Sequence, residues 1–202
     1  MEKTDFHKIF ENIKKHPPFV HCMTNYVTIN DVANIILAAG GSPVMAEEKE
    51  EVEEITAGCD CLMLNIGTLQ KRKREAMILA GKKANEMGHP VIFDPVGAGS
   101  SRFRTETASR IMDEVKLSVI RGNASEIKVL CHEKIRGKGV DADQKDAVTE
   151  GTMENMISMG RELSEKTGAV VLILSQRVKN RWRLCFRNFM KRWAVRGVCL
   201  PR

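Results

Sequence analysis

Two segments of the chain carry the charged side chains that a site for metal-bound phosphates requires. The first is DPVGAG at 94–99, where Asp94 follows an apolar run and two glycines allow a ligand to approach the backbone closely. The second is RGNASE at 121–126, which places Arg121 and Glu126 at either end of a small-residue corner. A strand-end carboxylate suits a hydrated Mg²⁺ that carries nucleotide phosphates, and an Arg beside a helix N-terminus suits phosphate itself.

Both segments also have an ordinary structural interpretation. Asp94 followed by Pro95 is a common way to begin a turn. Asn123 followed three residues later by Glu126 is the pattern of a capping box at a helix start. The spacing of these residues does not decide between a structural role and phosphate binding, so both interpretations stay open.

Hydrogen-bonding side chains also gather in HCMTNYVTIND at 21–31. An apolar run ends there and a helix is predicted to follow, so Thr28 or Asn30 is a candidate N-cap. Asn25 and Tyr26 precede that cap and have no capping task, which favours a binding role for them.

Two small-residue corners come next along the chain. In GGSPVMA at 40–46, Met45 taken by itself indicates core packing. In LNIGT at 64–68, Thr68 is a candidate cap for the helix that follows.

The elements that must position these segments alternate between apolar and amphipathic runs. The apolar runs predict strands at 19–23, 43–45, 61–65, 91–93, 119–120 and 169–174. The amphipathic runs predict helices at 29–39, 49–55, 71–87, 105–115, 124–130 and 152–166. A turn is predicted at 121–123 and a loop at 137–147. Such alternation predicts βαβ units and a mostly parallel sheet covered on both faces. Ligands of these folds bind at the carboxyl ends of the strands, which is where the polar segments fall.

The composition limits the class of protein. A length of 202 residues with 43% hydrophobic and 29% charged residues is typical of one globular domain with a sizeable core. No apolar run approaches the roughly 20 residues that span a bilayer, and the charged N-terminus lacks the apolar region of a signal peptide. We therefore predict a cytoplasmic protein without a membrane span.

The net charge of +6 comes from one end of the chain. Residues 177–202 contain nine Lys and Arg and no Asp or Glu, so the first 176 residues hold 23 basic and 26 acidic side chains. A nucleic-acid-binding domain carries its basic face on the folded body, so no nucleic-acid partner is expected.

The six cysteines do not form a metal-binding pattern. No CxxC pair occurs, and Cys59 and Cys61 flank the start of an apolar run. Small buried side chains are the favoured interpretation of this pair, because free Cys is among the most buried residue types.

Four segments, read in order, resemble the hydroxyethylthiazole kinases, which are members of the ribokinase-like kinases. They are HCMTNYVTINDVAN, GGSPVMA, LNIGT, and FDPVGAGSSRFRTETA with VIRGNASEI, and the resemblance runs from about Pro17 to about Ser175. It implies a three-layer α/β/α fold with a mostly parallel central sheet. It also implies transfer of the γ-phosphoryl group of ATP to the hydroxyl of 4-methyl-5-(2-hydroxyethyl)thiazole, with Mg²⁺, in a homotrimer whose active sites lie between subunits.

The same resemblance assigns roles to single residues. Those that would contact the thiazole are Asn25, Val27 and Met45, with Gly40 close by. Asp94 and Glu126 would hold Mg²⁺ and its waters. Those that would lie at the nucleotide are Arg121, Asn123 and Ser175.

The resemblance stops after Ser175. The family continues with a Gly-rich turn that forms an anion hole and carries a Cys beside the substrate hydroxyl, and no catalytic residue of that kind is recognisable here. Cys199 lacks the second glycine and a following helix, so its position is attributed to coincidence. We expect an incomplete kinase domain at 1–176 and a basic tail at 177–202, whose abrupt change of composition resembles a shifted reading frame.

Two other functions remain open from the sequence. The chain could bind the thiazole or pair with intact subunits without catalysis, while its tail binds an anionic surface. In that tail the aromatic residues Trp182, Phe186, Phe189 and Trp193 share one helical face. The second alternative is a hydroxymethylpyrimidine kinase, against which the TNYVTINDVAN segment argues.

Overall fold

The structure is a computed structural model that describes residues 6–131 and 150–174. Within these ranges helices and strands follow one another as α1 Phe6–Lys15, β1 Phe19–Met23, α2 Ile29–Ala38, β2 Ser42–Val44, α3 Val52–Ala57, β3 Cys61–Asn65, α4 Lys71–Glu86, β4 Val91–Asp94, α5 Arg102–Glu114, β5 Val119–Asn123, α6 Ala124–Cys131, α7 Glu150–Thr167 and β6 Val170–Leu174. The sequence interpretations that concern Ser175, Cys199, the loop 137–147 and the tail 177–202 lie outside the described residues.

The six strands form one parallel sheet in the order β2-β1-β3-β4-β5-β6. The chain moves outward from β1 to β2 and then returns past β1 to β3, so the direction of winding reverses between β1 and β3. Such a switch point opens a crevice at the carboxyl ends of the two strands, where open α/β sheets bind their ligands. The parallel sheet predicted from the alternating pattern is confirmed.

The core is centred on β3, β4 and the helix α4. Leu62, Leu64 and Phe93 are fully buried, and α4 places Ala76 and Ala80 against them as part of the same cluster. Strands that are covered on both faces read as continuous apolar runs, which is why 61–65 and 91–93 were recognisable as strands. None of the helices within 6–131 and 150–174 combines the length and the apolar composition that a membrane span needs.

Gly81 lies in the interior of α4 where α4 meets the end of α5. A Cβ atom at this position would lie 2.5 Å from Cγ2 and 2.8 Å from Cγ1 of Val115. Ala favours a helix interior by about 1 kcal/mol over Gly, but forcing a methyl group into a packed contact costs ~1–3 kcal/mol. The close approach of the two segments therefore requires a glycine.

We expect Gly81→Ala to lower the free energy of unfolding by about 1 kcal/mol, since the steric cost exceeds the gain in helix propensity. In a Val115→Ala background the same substitution should destabilise much less, because the two nearest methyl groups are gone and only the Cβ at position 115, 3.2 Å away, remains in contact. Urea unfolding of the four proteins measures both effects. Equal destabilisation in the two backgrounds would contradict the assignment to Val115.

Three predictions differ from the structure by three residues or more. The turn predicted at 121–123 is wrong: these residues complete β5 and pair with β6 as far as Asn123 opposite Leu174. Strand pairing here outweighs the turn tendency of Gly122, and α6 begins immediately after the strand. The predicted helix 49–55 is displaced to Val52–Ala57, and α5 begins at Arg102, before the predicted 105, because the Ser101 hydroxyl accepts the Arg104 N–H as an N-cap.

Candidate active site

The carboxyl ends of β1, β3, β4 and β5 lie side by side at one edge of the sheet. Asn65 and Asp94, the last residues of β3 and β4, are direct partners in the parallel register. Asn25 follows β1 by two residues, and Arg121 lies near the end of β5. The topology thus brings together polar side chains that are far apart in sequence.

Asp94 is a buried carboxylate with two hydrogen-bond donors on the same oxygen. Its Oδ2 accepts from Asn65 Nδ2 at 3.1 Å and from Arg121 Nη1 at 2.8 Å. The pKa of Asp94 is raised overall. Burial has the largest effect, Arg121 lowers the pKa, and the negative charge of Glu126 raises it. The Arg121 side chain remains 46% exposed, so it neutralises Asp94 while part of its guanidinium faces outward.

Glu126 completes the capping box that its spacing from Asn123 predicted, and it also binds the loop after β4. Its Oε2 accepts the Asn123 N–H at 2.8 Å, and its own N–H donates to Asn123 Oδ1 at 2.9 Å, which completes a capping box. Its Oε1 accepts the Gly97 N–H at 3.0 Å and so ties the loop after β4 to the start of α6. A carboxylate has about four lone-pair positions, so these two bonds leave room for a metal-bound water.

The loop after β4 requires its glycines and is held by an arginine. Gly97 and Gly99 have φ of +73° and +92°, in the left-handed region that side chains disfavour. Arg104 donates from Nη1 to the Val96 carbonyl at 2.9 Å and from Nη2 to the Gly67 carbonyl at 2.6 Å. Arg104 therefore clamps the loops that follow β3 and β4, a role that no local pattern in the sequence indicated.

The side chain of Asn25 stabilises the turn between β1 and α2. Its Oδ1 accepts N–H groups of Val27 and Thr28, both at 3.1 Å, and its Nδ2 donates to Asn65 Oδ1 at 3.2 Å. Asn25 does not cap the helix, as expected, but its side chain binds the backbone of the turn just before it. Thr28 occupies the N-cap position without a side-chain capping bond.

Thr68 does not cap the next helix as predicted. The N-cap position of α4 is Gln70, and the Thr68 hydroxyl instead accepts the Tyr26 N–H at 3.1 Å. The loop after β3 thereby contacts the turn after β1. Gly67 makes this approach possible, since a Cβ atom there would lie 2.8 Å from the Cβ of Asn25.

A buried lysine joins this turn to the segment after β2. The Lys73 side chain is 3% exposed, and its ammonium donates to the Thr24 carbonyl and to Glu47 Oε1. The same ammonium lies 4.6 Å from the centre of the Tyr26 ring, and the Tyr26 hydroxyl donates to Glu47 Oε2 at 2.6 Å. The hydrogen bond to the Glu47 carboxylate raises the pKa of Tyr26.

The residues assigned to the thiazole occupy different parts of this arrangement. Val27 is 84% exposed in the turn after β1, and Met45 is half-buried directly after β2, on the segment that Glu47 connects to this turn. Gly40 lies before β2, at the amino edge of the sheet, where a Cβ would meet Ile13 of α1 at 3.1 Å. Within one chain the structure brings Asn25, Val27 and Met45 to one edge and places Gly40 at the other.

His21 is buried on β1 beside the same segment. Because the Ala46 carbonyl can only accept, His21 Nε2 donates to it at 3.0 Å and Nδ1 accepts from the Thr56 hydroxyl at 2.8 Å. Burial lowers the pKa of His21, against a hydrogen bond and nearby glutamates that raise it. Folding therefore favours the neutral imidazole over the charged one.

We expect the free energy of unfolding to fall as the pH drops below about 6.5, the ordinary pKa of His. The unfolded chain then binds a proton at His21 that the folded chain does not, so stability is lost with a slope of up to about 1.4 kcal/mol per pH unit. Urea unfolding across this range measures the slope, and a His21→Gln variant should show a flatter one. Identical slopes for the two proteins would exclude His21 as the source.

The parallel sheet, its strand order and the polar side chains gathered at its carboxyl edge match the ribokinase-like α/β fold. The model of the "Hydroxyethylthiazole kinase family" matches residues 10–177. The chain belongs to the hydroxyethylthiazole kinase family.

Similar proteins extend beyond the part that this chain matches. A hydroxyethylthiazole kinase of Desulfovibrio desulfuricans is 50% identical over 170 residues, which cover 84% of this chain and 60% of that protein. One from Clostridium acetobutylicum is 53% identical over 163 residues, with 81% and 60% covered. The solved structure of a hydroxyethylthiazole kinase from Pyrococcus horikoshii superposes with a TM-score of 0.71 at 33% identity, covering 83% of this chain and 59% of that one. The chain thus spans about three fifths of the length of these relatives.

Proposed function

We propose that the chain carries out, or forms part of the protein that carries out, ATP-dependent phosphorylation of hydroxyethylthiazole. The observation that carries this proposal is the pair of buried carboxylates, Asp94 and Glu126, beside a half-exposed Arg121 at the carboxyl edge of the sheet. Phosphoryl transfer depends mainly on positioning and charge neutralisation, which these groups supply. The family match favours the thiazole over hydroxymethylpyrimidine as substrate.

The carboxylates fit Mg²⁺ better than a tightly ligated transition metal. Asp94 and Glu126 are 7% and 9% exposed, and the arginine beside them leaves the three groups with a net negative charge. No three His, Cys, Asp or Glu side chains gather into a metal cage within 6–131 and 150–174. Mg²⁺ keeps several waters and needs only one or two carboxylates, and when bound it would neutralise the phosphate charge.

The nucleotide and the thiazole are assigned to neighbouring parts of the edge. Arg121 would contact nucleotide phosphate, with Asn123 shaping the helix start beside it, and Ser175 follows in the chain after β6. Asn25, Val27 and Met45 would contact the thiazole. We also propose the homotrimer that the family resemblance implies. The helix α2 buries none of its residues although Ile35 and Leu37, 66% and 57% exposed, are apolar, which leaves a face for a subunit contact. Light scattering should then give three times the mass of the chain.

The test is to incubate the purified chain with Mg²⁺, ATP and hydroxyethylthiazole and to detect the phosphorylated thiazole by mass spectrometry, with ADP release measured in parallel. Omission of Mg²⁺ should abolish product. Thiazole binding without product would support the alternative of a non-catalytic, subunit-pairing chain. A chain that neither binds nor phosphorylates the thiazole would contradict the proposal.

A further inference from the structure

The side-chain amide of Asn65 has a determined orientation. Asp94 Oδ2 accepts a hydrogen bond from Asn65 at 3.1 Å, so the nitrogen of the amide must face Asp94. The oxygen faces the other way, where it accepts the Gly67 N–H at 2.9 Å. Asn65 is 5% exposed, so a reversed amide would bury unsatisfied groups on both sides.

This orientation continues through Asn25. Asn65 Oδ1 also accepts from Asn25 Nδ2 at 3.2 Å, which turns Asn25 Oδ1 toward the N–H groups of Val27 and Thr28. These hydrogen bonds therefore all donate in one direction, from the turn after β1 through Asn25 and Asn65 to the Asp94 carboxylate. We call this series of hydrogen bonds the Asn65 line. The line crosses the switch point between β1 and β3, where the two proposed subsites meet.

The line has little room to deform. The Gly67 backbone packs so closely on Asn25 that an added Cβ would lie 2.8 Å from Asn25 Cβ and 3.0 Å from Asn65 Oδ1. On the other side, Arg121 holds the same Asp94 oxygen at 2.8 Å. A change in the direction of the Asp94 carboxylate must therefore be accompanied by a change in Asn65 and in the turn that Asn25 holds.

We propose that Asn65 is a positioning residue that couples the metal subsite at Asp94 to the thiazole subsite at Asn25 and Val27. The inference rests on the proposed function, to which it adds a residue that touches neither reacting group. A cation that holds the Asp94 carboxylate in one direction also holds Asn65 and the Asn25 turn in their binding arrangement. Binding of the cation and of the thiazole then becomes mutually favourable, because such a coupling is reciprocal.

The test is calorimetric titration of the full chain with hydroxyethylthiazole in the presence of a non-hydrolysable ATP analogue, with either Mg²⁺ or a chelator. The ratio of the two dissociation constants measures coupling to the metal, separately from the nucleotide. We expect Mg²⁺ to tighten thiazole binding by about 5-fold or more in the natural chain. In Asn65→Leu, which has a similar volume and no hydrogen bonds, the ratio should fall close to one.

A second variant interrupts the line at a less buried position. Asn25→Asp keeps an oxygen for the N–H groups of Val27 and Thr28, so the turn is retained, but it removes the donor to Asn65. This variant therefore provides the test if Asn65→Leu does not fold. Its ratio should also fall close to one, whereas Asn12→Leu, an exposed change on α1, should keep the natural ratio. Loss of stability alone would weaken binding equally with Mg²⁺ and with chelator and would leave the ratio unchanged.

The outcomes separate the two proposals. Thiazole binding that is equally strong with and without Mg²⁺ in the natural chain would overturn the coupling and leave the thiazole site standing. A ratio that persists in Asn25→Asp, or in folded Asn65→Leu, would overturn the role of the Asn65 line. Failure of the natural chain to bind thiazole under any of these conditions would overturn the proposed function, and the coupling with it.

Discussion

Replacing Asp94 by Asn should lower the rate of thiazole phosphorylation by about 10²–10³-fold, the usual cost of removing one electrostatic group at a phosphoryl or acyl transfer site. The amide retains an oxygen for the bonds from Asn65 and Arg121, so the fold should change little. What is lost is the charge that would attract Mg²⁺. The charges of Arg121 and Glu126 would then cancel, so the site would no longer carry the net negative charge that attracts a cation.

The measurement for Asp94→Asn is the initial rate with ATP and thiazole at several Mg²⁺ concentrations. Binding of Mn²⁺ followed by electron paramagnetic resonance is a second readout that does not depend on turnover. Asp113→Asn is the matched control, since Asp113 is an exposed residue of α5 away from the carboxyl edge. A rate within a factor of about three of the control would show that Asp94 is not a metal ligand, because a ligand is worth far more than that.

The strands could be predicted from the sequence because burial on both faces requires continuous apolar runs. Residues 61–65 and 91–93 have this form, and Leu62, Leu64 and Phe93 are indeed fully buried. The end of β5 could not be predicted in the same way. Gly122 and Asn123 are turn residues in isolation, and only the pairing with β6, a strand much further along the chain, keeps them extended.

The charged part of the site was predictable for a related reason. Parallel strands place their carboxyl ends at one edge, so Asp94 and Arg121 had to lie close together once the strands were known. The residues that position them were not recognisable. In the sequence Arg104 is an ordinary arginine of a helix. Its role depends on hydrogen bonds to carbonyl groups of two loops, which only the fold brings within reach.

Lys73 is the clearest example of a role set by distant contacts. In the sequence it stands in the run KRKR at the start of a helix, which indicates a solvated face. Lys71 and Arg72 are exposed as this pattern predicts, but Lys73 is 3% exposed. Its burial depends on Glu47, 26 residues earlier, and on the Thr24 carbonyl, neither of which a local pattern reveals.

Lys73→Met should lower the free energy of unfolding by about 3 kcal/mol, near the lower end of the cost of removing one partner of a buried ion pair. Methionine fills a similar volume, so the loss comes from leaving Glu47 and the Thr24 carbonyl without their donor. Glu47 is 17% exposed and gains some solvation, which is why we expect the lower end of the range. Urea unfolding measures the change, and Lys71→Met on the same helix turn is the control.

The double variant Lys73→Met with Glu47→Gln tests the physical cause of this loss. If an unpaired buried carboxylate is the source of the instability, replacing it by an amide should recover part of the stability that Lys73→Met removes. The amide oxygen introduced at position 47 can still accept the hydrogen bond from the Tyr26 hydroxyl, so the turn after β1 keeps one of its two attachments. A double variant less stable than Lys73→Met alone would show that packing around the lysine stem, and not its charge, holds the segment after β2 against this turn.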